Sequence, residues 1–167
     1  MKYIYHHTDG EGKLLLLQAE MADFLEVRSL LEGESARLAA LRGTDADFIM
    51  IRRRYEEMVA AHGQDTDIAT HAHLDHAFHL AICEASHNAV LVHTLQSLTD
   101  LLLGSVFACV NNLYHRAPHK RQIDSQHARL YKAVVGRLPD QAHKAATEHV
   151  DSVRQSLAEI EQEEQRL

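Results

Sequence analysis

Apolar residues recur every three or four positions along most of the chain, the spacing that places them on one face of an α-helix. The pattern predicts six helices, and their ends fall at residues that cap or break helices. In chain order the predicted helices run from Leu14 to Gly43, Thr44 to about Gly63, Asp65 or Thr66 to Asn88, about Ala89 to His115, about Lys120 to Gly136, and Pro139 almost to the end. We therefore expect one domain of the all-α class, an antiparallel bundle of about six helices.

The N-terminal segment has a different pattern. Tyr3, Ile4 and Tyr5 precede the turn-like residues 9–12, so residues 1–20 are expected to form a linker or a strand-like extension. The adjacent His6 and His7 are interpreted as a solvated, tag-like pair. The helical domain is accordingly predicted to span residues 21–167.

Composition narrows the class of protein. With 167 residues the chain can bury a core without disulfides. Its two cysteines, Cys83 and Cys109, lie in apolar helical patterns, which favours a reducing compartment and a cytoplasmic location. No apolar run approaches the roughly 20 residues of a membrane span. The net charge of −7 makes the chain a poor nucleic-acid binder, whereas its 14 histidines favour a search for a metal site.

Asp75 and His79 lie one turn apart on the third predicted helix, at the edge of its apolar stripe, with the spacing of two ligands to one metal ion. His127 falls at the centre of the stripe on the fifth helix and His149 within that of the sixth, whereas His143 lies near its edge. A lone core-facing histidine is usually a neutral imidazole bonded to a neighbour. From periodicity alone, these residues could therefore be either shared ligands of one metal ion or ordinary buried side chains.

The other histidines are expected to be surface or capping residues: His62, His71, His73, His76, His87, His93, His115 and His119.

Four segments carry a family resemblance: VRSLLEGESARLAALRGT (27–44), DHAFHLAICEASHNAVL (75–91), QHARLYKAV (126–134) and GRLPDQAHKAATEHV (136–150). In content, order and spacing they resemble the FCD domain, the C-terminal effector-sensing domain of FadR-type transcription regulators in the GntR superfamily. The match extends from about Phe24 to Arg154. It is most similar to the branch that answers to lactate, pyruvate or glycolate, although this chain has EASHN where EASGN is commoner.

The resemblance implies a divalent metal held by one Asp and three His, which here are Asp75, His79, His127 and His149. This set of imidazoles and one carboxylate suits Zn²⁺ and also accommodates Ni²⁺, Mn²⁺ or Fe²⁺. The family also has an N-terminal winged helix-turn-helix, for which residues 1–20 are too short. The chain is therefore expected to be a homodimeric sensor that reaches DNA only through a domain outside this sequence.

Four protein ligands leave two octahedral positions, which a small 2-hydroxy or 2-oxo acid could fill as a bidentate effector. Arg28, at the edge of the first helix's core face, is the expected second anchor, and Asn88 is the other candidate effector-binding residue. An ion pair between Arg28 and Glu32 is the alternative interpretation of that arginine.

Two other functions stay open at this stage. A metal-dependent hydrolase would need a general base, but no H-E-x-x-H motif occurs and Glu84 faces away from Asp75 and His79 by helical angle. A structural metal inside an interaction module would form a closed site. No catalytic residue is assigned, and we expect no enzyme activity.

Overall fold

The structure of the protein, a computed structural model, describes residues 2–8, 14–62, 67–101 and 117–164. An antiparallel hairpin of β1 (Lys2–Thr8) and β2 (Leu14–Glu20) opens the chain, with Lys2 opposite Glu20. The helices that follow are α1 (Met21–Arg42), α2 (Asp45–His62), α3 (Ile68–Glu84), α4 (Ala89–Leu101), α5 (Ala117–Val135) and α6 (Pro139–Glu164). The predicted all-α bundle of about six helices is confirmed. None of the described helices combines the length and the apolar character needed to cross a membrane.

The predicted start of the first helix at Leu14 is wrong, because residues Leu14–Glu20 form β2 and the helix begins at Met21. Four successive leucines make a short apolar run, whose periodicity does not distinguish a strand from a buried helical segment. Pairing with β1 along seven residues satisfies the backbone of this run, and that partner decides its conformation. Other predicted features lie outside the described residues: the turn at 9–12, the helix boundaries at 63–66, residues 102–115 of the fourth helix, and Cys109.

Local sequence signals set the helix starts. At α2, Thr44 Oγ1 accepts a hydrogen bond from the Asp47 N–H at 3.2 Å, while Asp47 Oδ2 accepts one from the Thr44 N–H at 2.7 Å. This reciprocal pair is a capping box, which satisfies two of the N–H groups that a helix start leaves without helical partners. At α3, Asp67 caps in the same sense by accepting from the Thr70 N–H at 2.9 Å. Pro139 begins α6, as predicted.

The main core joins α1, α2, α3, α5 and α6. Its largest side chains are Ile51, Met58, Phe78, Leu130 and Val134, each almost completely buried. The helix α4 joins this core through a second cluster in which Leu91 and Leu95 pack with Leu38 and Cys83. Cys83, which lies in an apolar helical pattern of the sequence, is buried in this cluster.

The first and last helices approach closely. α1 packs mainly against α6, and both contribute small residues to the core, alanines 36, 39 and 40 from α1 and alanines 142, 145 and 146 from α6. A Cβ at Gly33 would lie 2.6 Å from Thr147 Cγ2 and 3.2 Å from His143 Nε2. Gly33 therefore allows α1 to lie near enough to α6 for its side chains to take part in the site described below.

One histidine prediction is wrong in the fold. His71, expected at the surface, is buried, because it continues the stripe of Leu74 and Phe78 one turn towards the start of α3. His73, His87 and His93 are exposed as predicted.

Candidate metal centre

The four predicted metal ligands lie on three helices that meet in the core. Asp75 and His79 are on α3, one turn apart, His127 is on α5 and His149 is on α6. All four are buried, with only 8% of Asp75 and none of His127 exposed. Because each residue lies on the inward stripe of its helix, packing the three helices together brings the four side chains to one point.

The distances between the donor atoms are short. His79 Nε2 lies 3.1 Å from His127 Nε2, and Asp75 Oδ1 lies 3.2 Å from the same His127 nitrogen. Asp75 Oδ2 is 4.0 Å from His79 Nε2, and one nitrogen from each of the three histidines lies within 4.8 Å of the others. Ligands bound at about 2.0–2.2 Å to one ion are separated by about 3.0–3.4 Å when adjacent. The residues present therefore fit a single divalent ion.

Two side chains outside this set orient the imidazoles. Glu32 Oε2 lies 2.9 Å from His79 Nδ1, and Gln126 Oε1 lies 3.1 Å from His149 Nδ1. A partner at Nδ1 holds the proton there and leaves Nε2 to act as the ligand atom, which is the usual arrangement around metal-bound histidines. The centre therefore has an outer layer of oxygen acceptors.

Sequence reasoning missed these two partners. Glu32 was considered only as an alternative partner for Arg28, although it is an acidic residue on the apolar stripe of α1, between Leu25 and Ala36. Such a residue is costly to bury without a partner, and that cost was the available signal. No comparable signal marks Gln126, which is half-buried and next to a ligand in sequence.

The pKa values of two of the buried histidines are shifted in opposite directions. Burial would lower the pKa of His79, but the adjacent Glu32 carboxylate outweighs burial and raises it. His149 has its pKa lowered well below the usual value, first by burial and then by the charges of His127 and His79. Burial alone would raise the pKa of Glu32, yet the charges of Arg28 and His79 hold it well below its usual range. Glu32 is thus a buried anion, and His149 is a neutral imidazole suited to bind a metal.

Arg28 lies beside this group on α1. Its Nε donates to Glu32 Oε1, and its side chain is 14% exposed. The ion pair that was the alternative interpretation of Arg28 is therefore present. Because the other oxygen of Glu32 faces His79, a continuous line of contacts runs from the guanidinium to a predicted metal ligand.

Asn88 lies at the start of α4, where its side chain already has a backbone partner. Its Oδ1 accepts from the Leu91 N–H at 3.2 Å, so its side chain serves as a helix cap. His143, placed near the edge of its stripe in the sequence, is exposed and lies outside the group of converging histidines.

The centre is tightly packed on the side that faces α1 and Phe78. Phe78 meets the rings of His79 and His127 edge-on, with centroids 5.5 and 5.6 Å away. The cavity beside Glu32 and His79 measures about 10 Å³, enough for one water at most. An ion here would be shielded from bulk solvent on the α1 side, so its charge would act strongly on any ligand that reached it.

Comparison with known proteins places the chain in context. It matches the family model of the FCD domain over residues 23–152. It is 63% identical over 143 residues to the Glc operon transcriptional activator of Escherichia coli (strain K12), a match that covers 84% of this chain and 56% of that protein. An E. coli (strain K12) protein provisionally named as a regulatory protein of the L-lactate dehydrogenase operon is 35% identical over 144 residues, covering 86% of this chain and 54% of that protein.

A solved structure agrees with these matches. Streptococcus agalactiae GntR superposes with a TM-score of 0.65 at 26% identity, covering 81% of this chain and 58% of that chain. The chain therefore spans a little over half the length of the relatives it matches.

Proposed function

The chain belongs to the FCD family of GntR-type transcriptional regulators, and on that premise we propose that it binds a small 2-hydroxy or 2-oxo acid at a divalent metal ion. The family match confirms the prediction of an effector-sensing domain and not an enzyme. The observation that carries the proposal is the convergence of Asp75, His79, His127 and His149 on one buried point.

The donor set explains how such an acid would bind. Three neutral imidazoles and one carboxylate leave a divalent ion with a formal charge of about +1 and, in octahedral geometry, two adjacent positions open. A carboxylate oxygen and the 2-oxygen of the acid can fill those positions together and neutralise the charge. Zn²⁺ is the metal we propose, with Ni²⁺, Mn²⁺ and Fe²⁺ as alternatives that the same donors accept.

Arg28 is the proposed second anchor for the acid, and Asn88 remains the other proposed effector-binding residue. The Arg28 side chain is 14% exposed and is joined through Glu32 to His79, which keeps a positive charge beside the centre. A planar guanidinium can grip a carboxylate through two parallel N–H donors. The name of one relative refers to the L-lactate dehydrogenase operon, and L-lactate is a small 2-hydroxy acid, which supports this class of ligand.

We further propose that the domain forms a homodimer in a cytoplasmic regulator, where the acid controls DNA binding by a winged helix-turn-helix. Large apolar side chains are exposed on several helices, among them Leu30 on α1, Ile49 on α2 and Val90 on α4, and a second copy could cover some of them. With a net charge of −7, this chain is not expected to bind DNA by itself.

Metal counting together with calorimetry tests the proposal. The parent should hold one ion per chain and bind glycolate, lactate or pyruvate only when loaded. His127→Ala should lose the ion and, as a consequence, acid binding. His143→Ala, an exposed histidine on α6, is the matched control and should lose neither.

The same experiment separates the rival functions. In the Co²⁺-loaded protein, the acid should change the visible spectrum, because it enters the coordination sphere. If none of the three acids changes the visible spectrum, the metal site is structural. A parent chain that binds no metal would refute the proposal.

A further inference from the structure

We infer that Glu32 is a positioning residue, a buried carboxylate that fixes the His79 ring towards the metal and ties Arg28 to that ligand. This inference rests on the proposed function and deepens it. It adds a residue of α1 to a site otherwise built from α3, α5 and α6.

The contacts of Glu32 assign one task to each oxygen. Oε2 lies 2.9 Å from His79 Nδ1, and Oε1 accepts from Arg28 Nε. The side chain is 5% exposed, so water cannot take the place of either partner. Because Nδ1 and Nε2 lie on opposite sides of the imidazole ring, holding Nδ1 on the α1 side turns Nε2 towards His127, 3.1 Å away.

A purely structural ion pair would have a different setting. The pair of Glu34 with Arg37, two to five residues further along α1, is much more accessible, with 43% of the Glu34 side chain and 35% of the Arg37 side chain exposed, and shows what an ordinary ion pair looks like on this helix. Glu32, in contrast, is buried beside a cavity of about 10 Å³ and has no room to turn towards solvent. Burying a carboxylate is unfavourable unless specific partners repay it, and here one of those partners is a predicted metal ligand.

The arrangement has two consequences. A carboxylate at Nδ1 fixes the tautomer of a metal-binding histidine and makes the ring a better donor, and its loss typically weakens metal binding 10- to 100-fold. An acid that takes hold of the Arg28 guanidinium also competes with Glu32 for it. The affinities for metal and acid are therefore coupled, and the coupling must be the same in both directions.

Glu32→Gln tests the inference, because glutamine keeps the shape of the side chain and removes its charge. Glu34→Gln, on the exposed pair of the same helix, is the matched control. In the full chain, Zn²⁺ affinity measured by competition with a chelator should fall about 10- to 100-fold for Glu32→Gln and stay within about twofold for Glu34→Gln. In the Co²⁺-loaded protein, only Glu32→Gln should shift the visible spectrum.

A second measurement needs no metal. In the metal-free parent, nitrogen-15 spectra of the imidazoles should show His79 with its proton fixed on Nδ1, and Glu32→Gln should release that preference. Unchanged Zn²⁺ affinity and an unchanged His79 tautomer in a folded Glu32→Gln protein would overturn the inference and leave the proposed function intact. If the parent binds no divalent ion, the proposed function fails and this inference about metal positioning is overturned with it, even if Glu32 fixes the tautomer.

If Glu32→Gln does not fold, Glu32→Asp decides the question. It keeps the charge but shortens the reach to His79, so it should still weaken Zn²⁺ binding about tenfold or more. Parent-like Zn²⁺ affinity in Glu32→Asp would overturn the inference.

Discussion

Removing the guanidinium of Arg28 should weaken acid binding and the fold while leaving the metal in place. In Arg28→Ala, a charge-assisted contact to the acid worth about 1.5–3 kcal/mol disappears, which corresponds to roughly 10- to 150-fold weaker binding. The ion itself should remain at one per chain, because Arg28 is not among its proposed ligands. The loss of acid affinity with retained metal is the signature of an anchor that binds the acid and is not a ligand of the ion.

The effect on stability follows from the burial of the Arg28–Glu32 pair. The two side chains are 14% and 5% exposed, and removing one partner of a buried pair typically costs about 3–5 kcal/mol. His79 still lies 2.9 Å from Glu32 and retains part of the compensation, so we expect a loss of about 2 kcal/mol. For a chain of 167 residues, that loss lowers the melting temperature by about 4–8 °C.

Three measurements on one panel test this prediction: metal content by mass spectrometry, acid binding by calorimetry, and thermal melting. Arg37→Ala, which breaks the exposed pair with Glu34, should leave all three close to the parent. The double variant Arg28→Ala/Glu32→Gln should recover part of the lost stability, because no uncompensated carboxylate stays buried, but it should not recover acid binding.

Two results would contradict the reasoning. If Arg28→Ala binds glycolate, lactate and pyruvate as tightly as the parent, the acid is anchored elsewhere. If it melts like Arg37→Ala, the buried pair contributes no more than an exposed one and the estimate from burial is wrong.

Two further predictions concern the scaffold. Burial alone would raise the pKa of Asp47, but contacts from Thr44 and His87 outweigh burial and lower it. The stability that Asp47 contributes to the fold is therefore fully present above its ordinary pKa of 3.8, and it is lost as the pH falls through the lower pKa of the folded state. In urea denaturation at pH 7, the free energy of unfolding of Asp47→Ala should therefore be about 1 kcal/mol lower than that of the parent. This difference should shrink at acid pH, and a difference that stays constant with pH would contradict the assignment. Gly33→Ala should destabilise the bundle by about 1–2 kcal/mol, because the added Cβ meets Thr147 Cγ2 at 2.6 Å. Adding Thr147→Ser to the same chain removes that methyl group and should restore stability. No rescue would mean that α1 and α6 are not in such close contact at Gly33.

The chain by itself predicted the helices and the inward faces on which the candidate ligands lie. A period of 3.6 residues assigns each side chain to a face of its helix without knowledge of any other helix. Asp75, His79, His127 and His149 could therefore be placed on inward faces from their neighbours in sequence, and the structure brings them together. The boundary at Asn88 was equally local, since it depends on a hydrogen bond to a backbone only three residues away.

The tertiary structure alone decided the features that depend on contacts between segments far apart in the sequence. The conformation of residues 14–20 follows from pairing with β1, and leucine-rich periodicity contains no information about that partner. The Glu32 carboxylate meets His79, 47 residues later in the sequence, because α1 packs against α3 in the folded bundle. Helical periodicity reports which face of a helix is buried but not which side chain of another helix lies opposite. Partners across helices therefore come from packing alone.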